Sequence, residues 1–97
     1  MKILIVDDDK YSSIYLLKIL SEYGKCDIAS NGIEAVDAFL LAHEEGLPYD
    51  LISLDLMLPL LDGEDVLSVI RGFEDKNNIK ASERVKIVIT SALNDEE

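Results

Sequence analysis

Short apolar runs alternate along the chain with longer amphipathic stretches. The runs at 3–6, 26–29, 51–54 and 85–89 predict strands, and those at 3–6 and 51–54 are typical of strands that a parallel sheet buries on both faces. Apolar residues at helical spacing predict helices over about 10–23, 33–46 and 66–73. The polar segment 74–84 is expected to be a long connection. The order βαβαβαβ predicts an α/β fold with right-handed crossovers and helices on both faces of the sheet.

The composition and net charge of the chain indicate which kinds of molecule it can bind. The chain has 97 residues, 48% of them apolar, which is enough for the core of one small domain. Nine basic residues stand against twenty acidic ones, and the net charge of −11 repels nucleic acid and anionic lipid but attracts cations. The apolar runs are far shorter than the roughly 20 residues of a membrane span. With no signal peptide and a single cysteine, Cys26, we expect a cytoplasmic protein without direct nucleic-acid or membrane contacts.

Acidic and hydroxyl side chains follow the predicted strands at the points where they end. Asp7, Asp8 and Asp9 follow the first strand, Asp55 the third, and Thr90-Ser91 the fourth. Because parallel strands end at one edge of a sheet, we expect these side chains to meet there. Clustered carboxylates raise each other's pKa values and favour a hard cation such as Mg²⁺. An acid ionised beside such a cation can attack phosphorus, and a hydroxyl opposite it can hydrogen-bond a phosphoryl oxygen.

Four stretches of the sequence resemble the receiver domain of two-component response regulators, of the chemotaxis-regulator type. They lie at 3–9, 31–35, 49–63 and 87–93, in the order and approximate spacing of that family. The resemblance implies a flavodoxin-like, doubly wound parallel sheet with strand order 2-1-3-4 in this chain. It also implies a domain of a phosphorelay that switches an output surface when it is phosphorylated.

The resemblance assigns roles to five residues. Asp55 matches the aspartate that accepts a phosphoryl group from a sensor histidine kinase or a phosphotransfer protein. Asp7 and Asp8 match the acidic pair that holds Mg²⁺, together with Asp55 and the backbone carbonyl of Met57. Thr90 matches the hydroxyl that hydrogen-bonds the phosphoryl group and couples it to the surface. Such a domain is not an enzyme beyond gaining and losing its own phosphoryl group.

The chain also departs from the family. Receivers have a fifth strand, which carries a lysine that pairs with the phosphoryl group, and then a fifth helix. By resemblance both would lie beyond Glu97, so residues 1–97 are expected to be a single receiver domain that is incomplete at its C-terminus. Lys86 lies inside the fourth strand and does not match that lysine. Without a fifth strand, the fourth would be an edge through which the chain can self-associate.

Two other functions remain open. A phosphatase of the haloacid-dehalogenase type also begins with a strand and an Asp-x-Asp motif, which Asp7 to Asp9 fit. However, Tyr11 stands where that motif has threonine or valine, and the chain is short for that family. The other alternative is a receiver-like interaction module that is not phosphorylated.

Several polar residues have simpler interpretations. Asp9 is expected to cap the first helix, and Asp62, Glu64 and Asp65 are expected to favour the start of the third. His43 is expected at the surface, close to the end of the second helix. Pro59, Gly63 and Ser91 match residues that shape or adjoin the receiver site.

Overall fold

A computed structural model describes residues 1–90 of the chain. Its strands are β1 (Lys2–Val6), β2 (Lys25–Ala29), β3 (Leu51–Leu54) and β4 (Lys86–Ile89), and its helices are α1 (Lys10–Leu20), α2 (Gly32–Glu44) and α3 (Gly63–Lys76), with a short 3-10 helix over Ala81–Glu83. The strands form one sheet in the order β2-β1-β3-β4, and every pair is parallel. The α/β class and the strand order inferred from the sequence are confirmed.

The apolar core lies mainly between the sheet and helices α2 and α3. Side chains alternate between the two faces of each strand, and Leu4 and Ile52 pack on this face with Phe39 and Ile70. On the opposite face Ile3 is also fully buried, and helix α1 contacts β1 there. None of the helices within residues 1–90 has the length and apolar character needed to cross a bilayer.

Helix α1 ends at Leu20, three residues before the predicted end. The amide of Tyr23 donates to the carbonyl of Leu20 in a turn, and the chain then passes against its own first residue. A Cβ on Gly24 would lie only 2.0 Å from the carbonyl oxygen of Met1. The helix thus ends in a turn over residues 21–23, and the close approach of two backbones explains the glycine at position 24.

Helix α3 is longer than its apolar positions predict. It begins at Gly63, where the side chain of Asp62 accepts a hydrogen bond from the amide of Asp65, and it continues to Lys76. Glu74, which the sequence placed in the polar connection, is therefore helical and fully buried. Its Oε1 accepts a hydrogen bond from Nη1 of Arg71 at 2.7 Å. Its Oε2 accepts a hydrogen bond from the amide of Val85 at 2.9 Å. This bond links the residue before β4 to helix α3.

His43 is half-buried rather than simply at the surface. Its ring lies 4.9 Å from those of both Phe39 and Phe73, where it fills the space between helices α2 and α3.

Strand β4 forms one edge of the described sheet and is far less buried than its apolar sequence predicts. Val88 is 52% exposed and Ile89 is 37% exposed. A run of apolar residues indicates a strand, but burial also requires neighbours. Within residues 1–90 the only strand beside β4 is β3.

Candidate functional site

The ends of the two central strands place the acidic residues. The amide of Asp7 donates to the carbonyl of Ala29 at 3.1 Å, and that of Asp55 to the carbonyl of Val6 at 3.0 Å. Sheet pairing thus continues one residue past each strand and fixes both backbones. One carboxylate oxygen from each of Asp7, Asp8 and Asp55 lies within 4.8 Å of the others. Asp7 and Asp55 are buried, whereas Asp8 is exposed.

Asp7 and Asp9, which both follow β1, make different hydrogen bonds. Oδ1 of Asp7 accepts the amide of Asp9 at 2.9 Å, and the hydroxyl of Ser13 donates to the carbonyl of Asp7 at 3.2 Å. Asp9 caps helix α1: its side chain accepts the amide of Tyr11 at 3.2 Å and the hydroxyl of Ser12 at 2.8 Å. The side chain of Asp9 therefore caps helix α1, and Asp9 is not part of the acidic cluster.

No basic side chain within residues 1–90 forms an ion pair with the cluster. Burial raises the pKa of Asp7, the charges of Asp55, Asp8 and Asp9 raise it further, and the hydrogen bond from the Asp9 amide offsets part of this. Across residues 1–90, the two ion pairs are Arg71–Glu74 and Arg84–Asp75, and neither involves the cluster. Carboxylate oxygens that form no ion pair are suitable ligands for Mg²⁺.

The loop after β3 folds back over Asp55. Oδ1 of Asp55 accepts the amide of Met57 at 3.0 Å, which holds this stretch of backbone beside the carboxylate, while the Met57 side chain is 76% exposed. Further along, the amide of Leu61 donates to the carbonyl of Pro59 at 2.8 Å, and Leu60 has a φ of 72°. Leu60 is thus held in a tight turn with a backbone conformation that is uncommon for a branched residue.

Gly63 closes this loop because no side chain would fit there. A Cβ at this position would lie 2.4 Å from the Cα of Leu56 and 2.7 Å from the carbonyl oxygen of Asp55. The Gly63 amide donates to the Leu56 carbonyl at 2.9 Å. The start of helix α3 thus packs directly against the backbone that carries Asp55.

Thr90 reaches the same edge of the sheet from β4. Its amide donates to the carbonyl of Leu54 at 3.0 Å, and its hydroxyl donates to the same oxygen at 3.4 Å. The register that pairs Leu54 with Ile89, continued by one residue, brings Thr90 beside Asp55. Ser91 lies outside the described residues.

Sequence reasoning missed an apolar surface next to the cluster. Ile14 of α1 and Ile28 of β2 line a cavity of about 300 Å³ whose rim includes Asp7 and Asp8. Tyr11, Tyr15 and Ile19 form an exposed row along α1, and Tyr23 is exposed in the turn that follows the helix. Their spacing of four residues is the signal that could have revealed this row, because residues four apart share one face of a helix.

Solved structures share this fold. The receiver domain of the Francisella response regulator 1452 matches with a TM-score of 0.69 and 33% identity, over 96% of this chain and 67% of that one. The chain belongs to the response regulator receiver family. No protein-family model matches it.

Two further receiver structures come from complexes. A chain in the CheX–CheY–BeF₃–Mg complex of Borrelia burgdorferi matches with a TM-score of 0.76 and 32% identity, over 99% of this receiver and 65% of that chain. A chain in the co-crystal structure of Saccharomyces cerevisiae Ypd1 with the receiver domain of Ssk1 matches with a TM-score of 0.72 and 32% identity. The match covers 92% of this chain and 60% of that one.

Curated relatives are much longer than this receiver chain. Histidine kinase 5 of Arabidopsis thaliana is 31% identical over 96 residues, which is 98% of this chain and 10% of the relative. The transcriptional regulatory protein CusR of Escherichia coli is 40% identical over 72 residues, 73% of this chain and 30% of the relative. The chain thus spans a tenth of one relative and less than a third of the other.

Proposed function

We propose that residues 1–97 belong to a single receiver domain that acts as the phosphoacceptor of a two-component phosphorelay, with Asp55 as the acceptor. The proposal rests on the acidic cluster: one carboxylate oxygen from each of Asp7, Asp8 and Asp55 lies within 4.8 Å of the others at the carboxyl end of the sheet. Isolated acids at strand ends are common. Two buried acids from neighbouring strands, with an exposed third beside them and no ion pair in the described part of the chain, support a cation site and a functional role.

The cation that fits this donor set is Mg²⁺, held by the carboxylates of Asp7, Asp8 and Asp55 and by the carbonyl of Met57. When bound, it neutralises the cluster and the charge of the incoming phosphoryl group. One carboxylate oxygen of Asp55 attacks phosphorus, the bond from phosphorus to the donor's histidine nitrogen breaks, and that nitrogen keeps the electron pair. The product is an acyl phosphate on Asp55, which water later hydrolyses to restore the carboxylate.

Thr90 links the phosphoryl group to the surface of the domain. Its hydroxyl hydrogen bond to Leu54 is long, at 3.4 Å, so a phosphoryl oxygen on Asp55 can compete for it. Rotation of Thr90 toward that oxygen shifts the end of β4, whose side chains are half exposed. Phosphorylation then biases the surface between two states.

The donor is a histidine kinase or a phosphotransfer protein, in keeping with the complex of Ypd1 with a receiver. The cavity between Ile14 and Ile28 has Asp7 and Asp8 on its rim, and the exposed row begins at Tyr11, in the first turn of the same helix. An apolar helix face that carries the donor histidine would pack there and bring phosphorus to Asp55. The domain itself turns over only its own acyl phosphate.

The test is the intact mass of the purified chain after incubation with acetyl phosphate and Mg²⁺. We expect the mass of one phosphoryl group on the unaltered protein and none on Asp55→Asn, because an amide cannot supply the attacking oxygen. Asp9→Asn should retain most of the uptake, since Asp9 caps α1. Uptake that survives in Asp55→Asn would overturn the assignment. A folded chain that takes up nothing would be an interaction module, and turnover of a generic phosphomonoester would indicate a phosphatase.

A further inference from the structure

Helices α2 and α3 are neighbours, and apolar side chains along both of them stay partly exposed. On α2, Ile33, Val36 and Leu40 follow one another at a spacing of three or four residues, which places them on one face of the helix. On α3, Val69 shares a face with Phe73, four residues later. The exposed fractions of Ile33, Leu40 and Val69 are 50%, 37% and 40%. The hydrophobic core therefore leaves part of both faces uncovered.

Aromatic contacts show that these two faces border the same groove. The rings of His43 and Phe73 lie 4.9 Å apart, and those of Phe39 and Phe73 lie 5.6 Å apart. Leu40 stands one turn before His43, so the partly exposed face of α2 adjoins this contact. Near the C-terminal ends of the helices the groove widens into a cavity of about 430 Å³, lined by Leu40, His43, Glu44, Phe73, Asn77 and Ile79. The half-buried rings of His43 and Phe73 therefore form the floor of an open groove.

The groove lies on the side of α3 that faces away from β4. Arg71 marks the opposite side of this helix, because its Nη1 donates to the carbonyl of Val85, the residue before β4, at 3.0 Å. Phe73, two residues later, contacts α2 instead. The chain that follows β4 therefore continues from the Arg71 side of α3, whereas the groove between α2 and α3 is built by residues 33–79.

The border of the groove is mainly acidic. Asp37 and Glu44 are exposed on α2, one turn to either side of Leu40. On α3, Asp65 is exposed one turn before Val69, and Lys76 is an exposed basic residue further along the same helix. Together with the net charge of −11, this border repels anionic lipid and a second copy of the chain. The surface that complements it is apolar in the middle and basic at its sides.

We propose that the groove between α2 and α3 binds an amphipathic helix of a partner protein, whose apolar stripe is flanked by lysine or arginine. The wall of α2 runs from Ile33 to His43, about 15 Å along the helix axis, which matches about three turns of a partner helix. Apolar side chains three or four residues apart on that helix replace water over Leu40 and Val69, and its basic side chains meet the acidic border. The inference does not rest on the proposed phosphoacceptor function, because the groove is separate from the acidic cluster.

A synthetic amphipathic helix of leucine and lysine, two repeats of LKKLLKL, is the probe. Its binding is followed by fluorescence anisotropy of the labelled peptide at physiological ionic strength, where general attraction to an acidic surface is screened. We expect saturable binding to the wild-type chain. Leu40→Lys should weaken this binding at least about tenfold, because it places a charge against the apolar stripe and the lysines of the peptide.

Leu41→Lys is the matched control on the same helix. Leu41 is 52% exposed, lies about 100° around the helix from Leu40 and is not among the residues that line the cavity. The two substitutions change the net charge equally, so Leu41→Lys should leave binding within about twofold of wild type. Val69→Lys changes the opposite wall of the groove and should weaken binding as Leu40→Lys does. Circular dichroism checks that each variant is folded, as we expect from the exposure of the three side chains.

The basic character of the partner is tested by changes of charge on both sides. The peptide of two LEELLEL repeats has the same apolar stripe with glutamate in place of lysine, and it should not bind the wild-type chain. Glu44→Lys should weaken binding of the lysine peptide, because Glu44 borders the cavity. Glu22→Lys makes the same change at an exposed position beyond the end of α1 and should have a much smaller effect.

Three results would overturn the proposal. The first is a folded wild-type chain that does not bind the lysine peptide. The second is equal binding of this peptide to wild type, Leu40→Lys and Val69→Lys, which would mean that net charge alone holds it. The third comes from sedimentation velocity without peptide: a wild-type dimer that Leu40→Lys dissociates would mean that a second copy of the chain fills the groove.

Discussion

Asp7, Asp8 and Asp9 are chemically the same residue, and the backbone around each decides what it does. Asp9 stands at the start of α1, where its side chain accepts two hydrogen bonds from the first turn. Asp7 stands two positions earlier, where sheet pairing holds its backbone, and it is one of the buried members of the acidic cluster. The sequence predicted this division, because a helix cap needs one acid and three were present. It could not predict that Asp8 would be the exposed member.

The raised pKa of Asp7 implies that this residue destabilises the metal-free fold at neutral pH. Its pKa in the folded protein lies above the ordinary value of 3.8, mainly because of burial. The folded state therefore binds the proton more tightly than the unfolded state does. Any contribution to stability is present below pH 3.8 and is lost as the pH rises through the raised pKa. We expect Asp7→Asn to raise the free energy of unfolding at pH 7 in the presence of a chelator.

Urea unfolding at pH 7 and at pH 3.5 checks this expectation. The advantage of Asp7→Asn should shrink at the lower pH, where the wild-type carboxyl is mostly protonated in both the folded and the unfolded state. Asp37→Asn, an exposed substitution on α2, controls for the loss of one negative charge. If Asp7→Asn were less stable than wild type at pH 7 without metal, burial would not be the dominant influence on this carboxyl.

Helix α3 and strand β4 are joined by a contact that no sequence pattern indicates. Glutamate in a polar stretch is normally exposed, yet Glu74 is fully buried because it accepts the amide of Val85 and pairs with Arg71. The partner of Glu74 is a backbone group eleven residues away, and hydrophobic periodicity carries no information about it. The apolar sequence of β4 predicted a strand correctly, and the family resemblance, not the apolar pattern, indicated that it would be an edge of the sheet formed by residues 1–90.

This contact should dominate the stability of the α3–β4 connection. Glu74→Ala leaves the buried Val85 amide without its acceptor, while Arg71 stays partly exposed and keeps its bond to the Val85 carbonyl, so we expect a cost of about 1–3 kcal/mol. Glu74→Gln should cost less, because its carbonyl oxygen can still accept the Val85 amide. Denaturant titration measures both changes.

A matched control lies one residue further along the same helix. Asp75 pairs with Arg84 at 2.6 Å, but its side chain is 70% exposed. Asp75→Ala should therefore cost less than about 1 kcal/mol. Equal losses for Glu74→Ala and Asp75→Ala would mean that burial of the Arg71–Glu74 pair does not strengthen the connection.

The whole molecule is polarised along its strands. Lysines begin β1, β2 and β4, whereas the acids of the cluster follow β1 and β3. The sequence predicted the acidic end of this arrangement, because parallel strands have common ends and residues that follow the strands must share one edge. It made no prediction about the lysines at the opposite end. The prediction of the acidic edge depended only on the positions of the strands and on their parallel order. Errors in the predicted ends of the helices therefore did not affect it.

This polarity and the net charge of −11 lead to the last prediction: Mg²⁺ should stabilise the fold through one specific site. A ligand that binds only the folded state at ten times its Kd adds about 1.4 kcal/mol. Thermal melts with millimolar Mg²⁺ should show a higher Tm than melts in NaCl of equal ionic strength, because general screening acts in both. The double variant Asp8→Asn/Asp55→Asn should lose that difference and keep the response to NaCl. An equal Mg²⁺ effect in wild type and variant would place the cation elsewhere on the acidic surface.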